Sequence, residues 1–332
     1  LNNVEQVLSG KTPDYLVIQH MEPDHSASIP AFLKKYPNAT VVSTAKGFQF
    51  MEQFFPEFFA GQGLPAEQRI VAANDGVLEL GQHSLHFVYA PMVHWPEVMM
   101  TYEATEKILF AADGFGKFGA LDVEEEWANE ARRYYIGIVG KYGPQVQAVL
   151  KKAAGLDIQT ICSLHGPVLK ENLGFYLEKY DKWSSYQPEE SGVVIAYASV
   201  YGNTRNAAEY LADVLQEKGQ KTVLYDLARC DKAKAVADAF RYDRLVLAGI
   251  TYNGDLFPCM RSFIEGLTER NYQNRKVAII ENGTWAPMAG KLILGMFEKS
   301  KNLTFTETTV SIKSAMNAQN KDEIGKLAEE LC

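Results

Sequence analysis

Cysteine is scarce in this chain, and no two cysteines stand two residues apart. The thiols at Cys162, Cys230, Cys259 and Cys332 therefore make no thiolate zinc knuckle, no rubredoxin module and no thioredoxin-type redox pair. So few and so widely spaced, they suit free thiols in a reducing cytoplasm, and a cytoplasmic location is the expectation. No apolar run approaches the roughly 18–20 residues that a membrane-spanning helix needs. A basic block is also missing. The 33 Lys and Arg against 41 Asp and Glu leave a formal charge of −8, a poor match to nucleic acid or an anionic membrane. There is no internal repeat and no low-complexity tract, and no charged-then-apolar signal segment follows Leu1.

What is present is ordinary globular material. The 332 residues are 47% apolar and 22% charged, enough for about two domains with buried cores and unlike a disordered or coiled-coil chain. Residues 1–184 mix short β-rich runs with loops. The runs 15–20, 40–43, 85–90, 108–113 and 160–165 are apolar and bounded by polar or turn residues. The stretch 51–68 reads as a helix end and an irregular loop, and 171–183 as a helix with Leu173, Tyr176, Leu177 and Tyr180 on one face. Residues 185–192 are polar, contain Pro188 and have linker composition. From 193 to 332 five strands alternate with five helices, which predicts a doubly wound five-stranded parallel sheet.

The first strand of that second domain runs into Ser199-Val200-Tyr201-Gly202-Asn203-Thr204, with a helix directly after it. Such a turn aims backbone N–H groups and the helix dipole at a phosphate, and the Ser199 and Thr204 hydroxyls add donors. The loop has no lysine, so it is not a Walker loop. It suits a monophosphate that is held and not transferred, as in FMN. Two more strand ends carry matching loops, Thr251-Tyr252-Asn253-Gly254-Asp255 and Asn282-Gly283-Thr284-Trp285-Ala286-Pro287. Ligands bind at such carboxyl ends, where Tyr252 and Trp285 could stack on a flavin ring. A single loop of this kind often does no more than close a strand. Three on one sheet converge on one ligand. These residues are similar to the flavodoxin family, over 193–331, with Tyr201 where a small hydroxyl residue is usual.

All six histidines lie in the first domain. The densest group is His20-Met21-Glu22-Pro23-Asp24-His25, and His94, Asp113 and His165 stand at or just past other strand ends. Four imidazoles and three carboxylates are too many for one metal ion. They serve two ions if one carboxylate bridges, and Asp113, alone at its strand end, is the natural bridge. Mixed imidazole and carboxylate donors without thiolate suit iron, manganese or zinc. His83 and His86 sit in the strand approach 81–88 and are expected to be ordinary polar residues.

The histidine cluster resembles the metallo-β-lactamase superfamily, whose zinc hydrolases carry H-x-H-x-D-H. Glu22 replaces the second histidine, and a harder carboxylate donor favours iron. With the segments Pro91-Met92-Val93-His94-Trp95-Pro96, Asp113-Gly114-Phe115-Gly116 and His165-Gly166-Pro167, the whole chain resembles the flavodiiron proteins (A-type flavoproteins). The resemblance implies an αββα sandwich followed by a flavodoxin-like sheet. It implies one iron on His20, Glu22 and His94, a second on Asp24, His25 and His165, Asp113 between them, and FMN at the three loops. It further implies reduction of O2 to water or NO to N2O, a rubredoxin-like or flavin-reductase electron donor, and a head-to-tail homodimer or dimer of dimers. By the same resemblance roughly 50–60 residues with early sandwich strands are expected upstream of Leu1; their loss would expose a sheet edge. Trp95 is a candidate for shaping access to the metals. The competing readings are a zinc hydrolase with an attached flavodoxin domain and a plain FMN electron carrier.

Overall fold

A computed structural model of the chain describes residues 1–59 and 63–332. It divides into two compact units, Leu1–Trp127 with Pro144–Tyr180, and Ala128–Gly143 with Asp181–Cys332. Residues 60–62, part of the expected loop 51–68, lie outside the described residues.

The first unit holds two sheets. Strands β1 (Tyr15–Val17), β2 (Thr40–Ser43) and β3 (Arg69–Val71) pair in parallel in that order. Strands β4 (Val77–Glu79), β5 (Ser84–Tyr89), β6 (Met99–Glu103), β7 (Ile108–Phe110) and β8 (Thr160–Cys162) form the second sheet. Its pairings are antiparallel except β7 with β8. Successive strand residues face opposite ways, and β2 uses this. Val42 packs with Ala72, Phe87 and Met99 between the two sheets. Val41 packs on the other side, against Ile29, Phe32 and Leu33 of the helix Ile29–Lys35 and Phe48 and Met51 of the helix Ala45–Phe54. Thr44 starts the latter helix by accepting the Gly47 N–H at 3.0 Å, the usual N-cap device. These layers are those of the expected sandwich.

The strands expected to end in ligands are shorter than their apolar runs suggest. β1 stops at Val17, β7 at Phe110 and β8 at Cys162, three residues before His20, Asp113 and His165 respectively. The connecting residues leave their ladders and change partners. Gln19 shows this: its backbone carbonyl accepts the Met99 N–H at 3.1 Å, and its amide nitrogen donates to the Phe110 carbonyl at 2.7 Å.

In the second unit, β9 (Glu190–Tyr197), β10 (Thr222–Asp226), β11 (Tyr242–Tyr252), β13 (Arg275–Asn282) and β14 (Leu303–Ile312) form one parallel sheet in the order β10-β9-β11-β13-β14. This is the expected five-stranded doubly wound sheet, with its order reversing beside β9. A short β12 (Asp255–Leu256) folds back on the end of β11 as a hairpin. The helices Asn203–Glu217 and Ala318–Glu330 cover one face, burying Ala207, Leu211, Leu215, Ile324 and Leu327 against Ile195, Val246 and Ile280.

The stretch with linker composition is partly ordered into this unit. Glu190 already pairs with Tyr242 in the sheet. The Tyr186 hydroxyl donates to the Gly140 carbonyl at 3.0 Å and the Tyr186 carbonyl accepts from Arg275 Nη1 at 2.7 Å. Among the described residues no helix is long and apolar enough to cross a membrane.

Candidate functional site: a metal cluster and a cavity at the parallel sheet edge

The spacing of the first cluster follows from how the chain leaves β1. His20 and Glu22 stand two apart beyond the end of β1, and their side chains meet, with Glu22 Oε2 3.4 Å from His20 Nε2. Pro23 then opens a single helical turn, Pro23–Ser26, which suits proline because the first helical N–H needs no partner. The Ser26 hydroxyl ties this turn back to the Met21 carbonyl at 2.9 Å. The turn swings Asp24 and His25 into a second direction.

The other ligand candidates arrive on loops. His94 sits in a loop closed by the Met92 N–H on the Trp95 carbonyl (2.8 Å) and the Val93 N–H on the Ala90 carbonyl (3.1 Å). Asp113 lies between Ala112 and Phe115, whose φ values are 48° and 65°. Left-handed backbone at non-glycine residues is costly and tends to persist where a site requires it. Gly114 has no room for a side chain, since a Cβ there would lie 2.9 Å from the Ala111 carbonyl oxygen. The Tyr180 hydroxyl accepts the Phe115 N–H at 2.6 Å, beneath the same turn.

All seven candidates converge. Asp113 Oδ2 lies 3.2 Å from both His20 Nε2 and His94 Nε2, while Glu22 Oε2 lies 3.4 Å from the first and 3.0 Å from the second. Asp113 Oδ1 lies 3.0 Å from His25 Nε2 and 3.5 Å from His165 Nε2, and Asp24 Oδ2 lies 3.5 and 3.3 Å from the same two atoms. The two oxygens of one carboxylate thus address two separate groups, His20 with Glu22 and His94, and Asp24 with His25 and His165. The Nε2 atoms of His20 and His25 and both Asp113 oxygens are buried without a hydrogen-bond partner among the described residues. Their contacts run off the hydrogen-bond axis. Buried polar atoms that converge yet remain unbonded need another partner. Divalent ions shared between hard oxygen and imidazole donors meet that need, so the residues fit a two-metal centre.

Burial alone would raise the Asp113 pKa, but the His20, His25 and His94 imidazoles beside it hold its carboxyl far below the usual range. For His20, burial works against the charged form, and the Asp113 and Glu97 carboxylates outweigh it, raising the pKa to about 9.

Glu97 is a residue the sequence reading passed over. It is only 3% exposed, accepts a hydrogen bond from His20 Nδ1 at 2.7 Å and takes the Met21 N–H at 3.0 Å. Its signal was a carboxylate directly before the apolar run Val98-Met99-Met100. The Trp95 ring meets His20 edge-on at 5.2 Å and stacks on Phe54 at 6.2 Å, an apolar wall beside the cluster. His83 pairs with Glu103 at 3.0 Å and His86 contacts Ser84, both away from the cluster.

The second site is a cavity of about 680 Å³ at the carboxyl ends of β9, β11 and β13. Ser199, Val200, Tyr201, Asn203, Thr204, Thr251, Tyr252, Asn253, Gly254, Asn282, Gly283, Thr284 and Trp285 all line it; Gly202 does not. Gly202 instead makes the turn: at φ 93° it precedes the helix Asn203–Glu217, and its N–H goes to Ser199 Oγ at 3.1 Å. No side chain caps that helix, so its first N–H groups point into the loop, where an anion is favoured. Thr251 Oγ1 accepts the Met288 and Ala289 N–H groups at 2.7 and 3.2 Å, binding two loops together. Asn282 likewise bonds Thr204 Oγ1 at 3.3 Å and the Ser314 carbonyl at 2.9 Å. Ser314, at the end of the fifth sheet strand, lines the cavity and was not foreseen. Tyr201 and Trp285 stand 93% and 90% exposed at the rim. Aromatic faces beside a cavity with an open helix N-terminus fit a flat ring carrying a phosphate.

Comparison with known proteins agrees with both halves. Residues 1–166 match the family described as ODP family beta lactamase, and residues 194–303 match a flavodoxin domain. A diflavin flavoprotein A 1 of a Synechocystis species is 32% identical over 239 residues, covering 70% of this chain and 40% of that protein. A nitric oxide reductase of Moorella thermoacetica is 27% identical over 289 residues, covering 84% and 70%. Among solved structures, the rubredoxin oxygen:oxidoreductase of Desulfovibrio gigas superposes with a TM-score of 0.88 at 23% identity over 98% of this chain and 82% of that one, a likeness of fold. The chain spans between about two fifths and two thirds of the length of several curated relatives it matches.

Proposed function

The chain belongs to the flavodiiron proteins, an ODP-family beta-lactamase domain followed by a flavodoxin domain, and from that membership we propose that it reduces O2 to water, NO to N2O, or both. The membership implies FMN and a diiron centre. The observation that carries the reading is Asp113, whose two oxygens each address a separate trio of imidazole and carboxylate donors. In this reading one iron would be held by His20, Glu22 and His94, the other by Asp24, His25 and His165, with Asp113 offering one oxygen to each group. FMN is held by the loops after β9, β11 and β13. The domains proposed are 1–184 and 193–332, joined by 185–192. The electron donor proposed is a separate rubredoxin-like protein or flavin reductase, the working unit a head-to-tail homodimer or dimer of dimers, and the compartment the cytoplasm.

When bound, the flavin would supply stored reducing equivalents and the irons open coordination positions for a diatomic substrate. The chain's own residues do the rest. Glu97 holds the Nδ1–H of His20, fixing the tautomer that presents Nε2 to a metal. Glu22 and Asp24, each partly exposed, add charge to one side each and leave Asp113 as the buried hinge between them. Trp95, stacked on Phe54, forms an apolar wall on the His20 side. At the cavity, Ser199, Thr204 and the open helix end supply donors for a phosphate, while Tyr252 and Trp285 offer ring faces.

The test is the iron, zinc and flavin content of anaerobically purified protein, followed by O2 and NO turnover. About two irons and one FMN per chain, with turnover of either gas, is the expected result. Zinc without iron would replace the reading by a hydrolase, and FMN without metal would leave an electron carrier.

A further inference from the structure

One carboxylate near the cluster touches no metal position itself. Glu97 lies behind His20, on the ring edge opposite Asp113. Its Oε1 is 2.7 Å from His20 Nδ1, while His20 Nε2 faces Asp113 Oδ2 and Glu22 Oε2. The side chain is almost wholly buried, and its second oxygen has no hydrogen-bond partner among the described residues. It is also held firmly. The Met21 N–H reaches Oε1 at 3.0 Å, and the Thr44 hydroxyl donates to the Glu97 carbonyl at 3.1 Å while Thr44 caps the helix Ala45–Phe54. A carboxylate fixed against one nitrogen of an imidazole makes the other nitrogen a stronger donor and keeps the ring aimed. In a buried setting its charge is weakly screened. Because His20 meets Asp113 only at Oδ2, the effect falls on one of the two metal positions.

Resting on the diiron reading above, we propose that Glu97 is a positioning residue that sets the two metal positions apart. Through His20 it strengthens the position formed by His20, Glu22 and His94, which binds a divalent ion more tightly and, with iron, gives up its electron more readily. The position formed by Asp24, His25 and His165 is left nearly unaffected.

The experiment uses the full chain freed of metal and titrated anaerobically with Co(II), with affinities from competition with a chelator. Glu97→Gln keeps the shape and removes the charge. The wild type is expected to bind two Co(II) per chain. Glu97→Gln should still bind two, one of them 10–100-fold more weakly, the other within about twofold. In the iron form, stepwise oxidation by ferricyanide, which takes one electron from each ferrous ion and becomes ferrocyanide, should need a higher potential for the first electron in the variant. Equal affinities and an unchanged first potential in Glu97→Gln would overturn the proposal. A wild type that binds fewer than two ions would instead overturn the diiron reading. If the variant does not fold, as judged by circular dichroism and flavin content, the zinc-loaded wild type decides by nitrogen NMR. A protonated Nδ1 on a metal-bound His20 supports the proposal, and an unprotonated or metal-bound Nδ1 overturns it.

Discussion

Loading the cluster with a divalent ion should release a proton from His20. In the metal-free chain burial disfavours the His20 imidazolium, but Asp113 and Glu97 outweigh that effect and raise its pKa from 6.5 to about 9. Nδ1–H is committed to Glu97, so the proton that titrates sits on Nε2, facing Asp113 and Glu22. A metal ion must replace it there. Below about pH 9 each unit of acidification should therefore weaken apparent affinity about tenfold, or about a hundredfold between pH 9 and 7. Competition for Co(II) against a chelator, corrected for the chelator's own protonation, should give log affinity rising with unit slope and flattening near pH 9. The same shift bears on stability. A pKa raised by folding gives stabilisation that is fully present below pH 6.5 and lost as pH rises through about 9. The loss is worth about 3 kcal/mol in metal-free protein, at about 1.4 kcal/mol per unit. Chemical denaturation of metal-free chain across that range measures it, and Asp113→Asn should flatten the slope. An affinity that stays constant from pH 7 to 9 would refute the reasoning.

Asp113→Asn should also leave at most one tightly bound metal per chain, because an amide offers one ligating oxygen in place of two; elemental analysis after anaerobic loading and desalting checks it. Trp285→Ala should leave the fold intact, since the ring is 90% exposed, yet weaken FMN about 3- to 10-fold if the ring stacks on the flavin; fluorescence titration reads this, and an unchanged Kd removes Trp285 from the site. Glu189→Ala should destabilise the second unit by about 3–5 kcal/mol, because Glu189 is wholly buried in a two-point ion pair with Arg132 and accepts the Trp183 indole N–H at 2.7 Å; a thermal melt followed through flavin release tests it.

The second unit was the more legible half because its physics is local. A strand such as Thr222–Asp226 lies between a helix ending at Glu217 and one beginning at Lys232, and each boundary carries its own signal: Gly219 after the first helix, Asp231 capping the second. The first unit hides its elements for identifiable reasons. β6 is buried at every position, so Met99–Glu103 shows no alternation to read. The helix Trp127–Ile138 buries Arg132, whose partner Glu189 is far along the chain; from sequence alone that arginine argues for a solvent-facing side. The seven converging residues were legible for the opposite reason. Their chemistry is unusual in composition: four of the six histidines stand at or just past the ends of apolar runs, together with three carboxylates. Glu97 was not legible, because a single glutamate beside a proline looks like any surface residue until His20 is found 2.7 Å away. Ser314 escaped in the same way, since only the strand order β10-β9-β11-β13-β14 and its bonds to Asn282 and Thr284 bring it to the cavity. Residues that carry chemistry by type can thus be found from sequence, while residues that orient them are found only when the fold closes the distance.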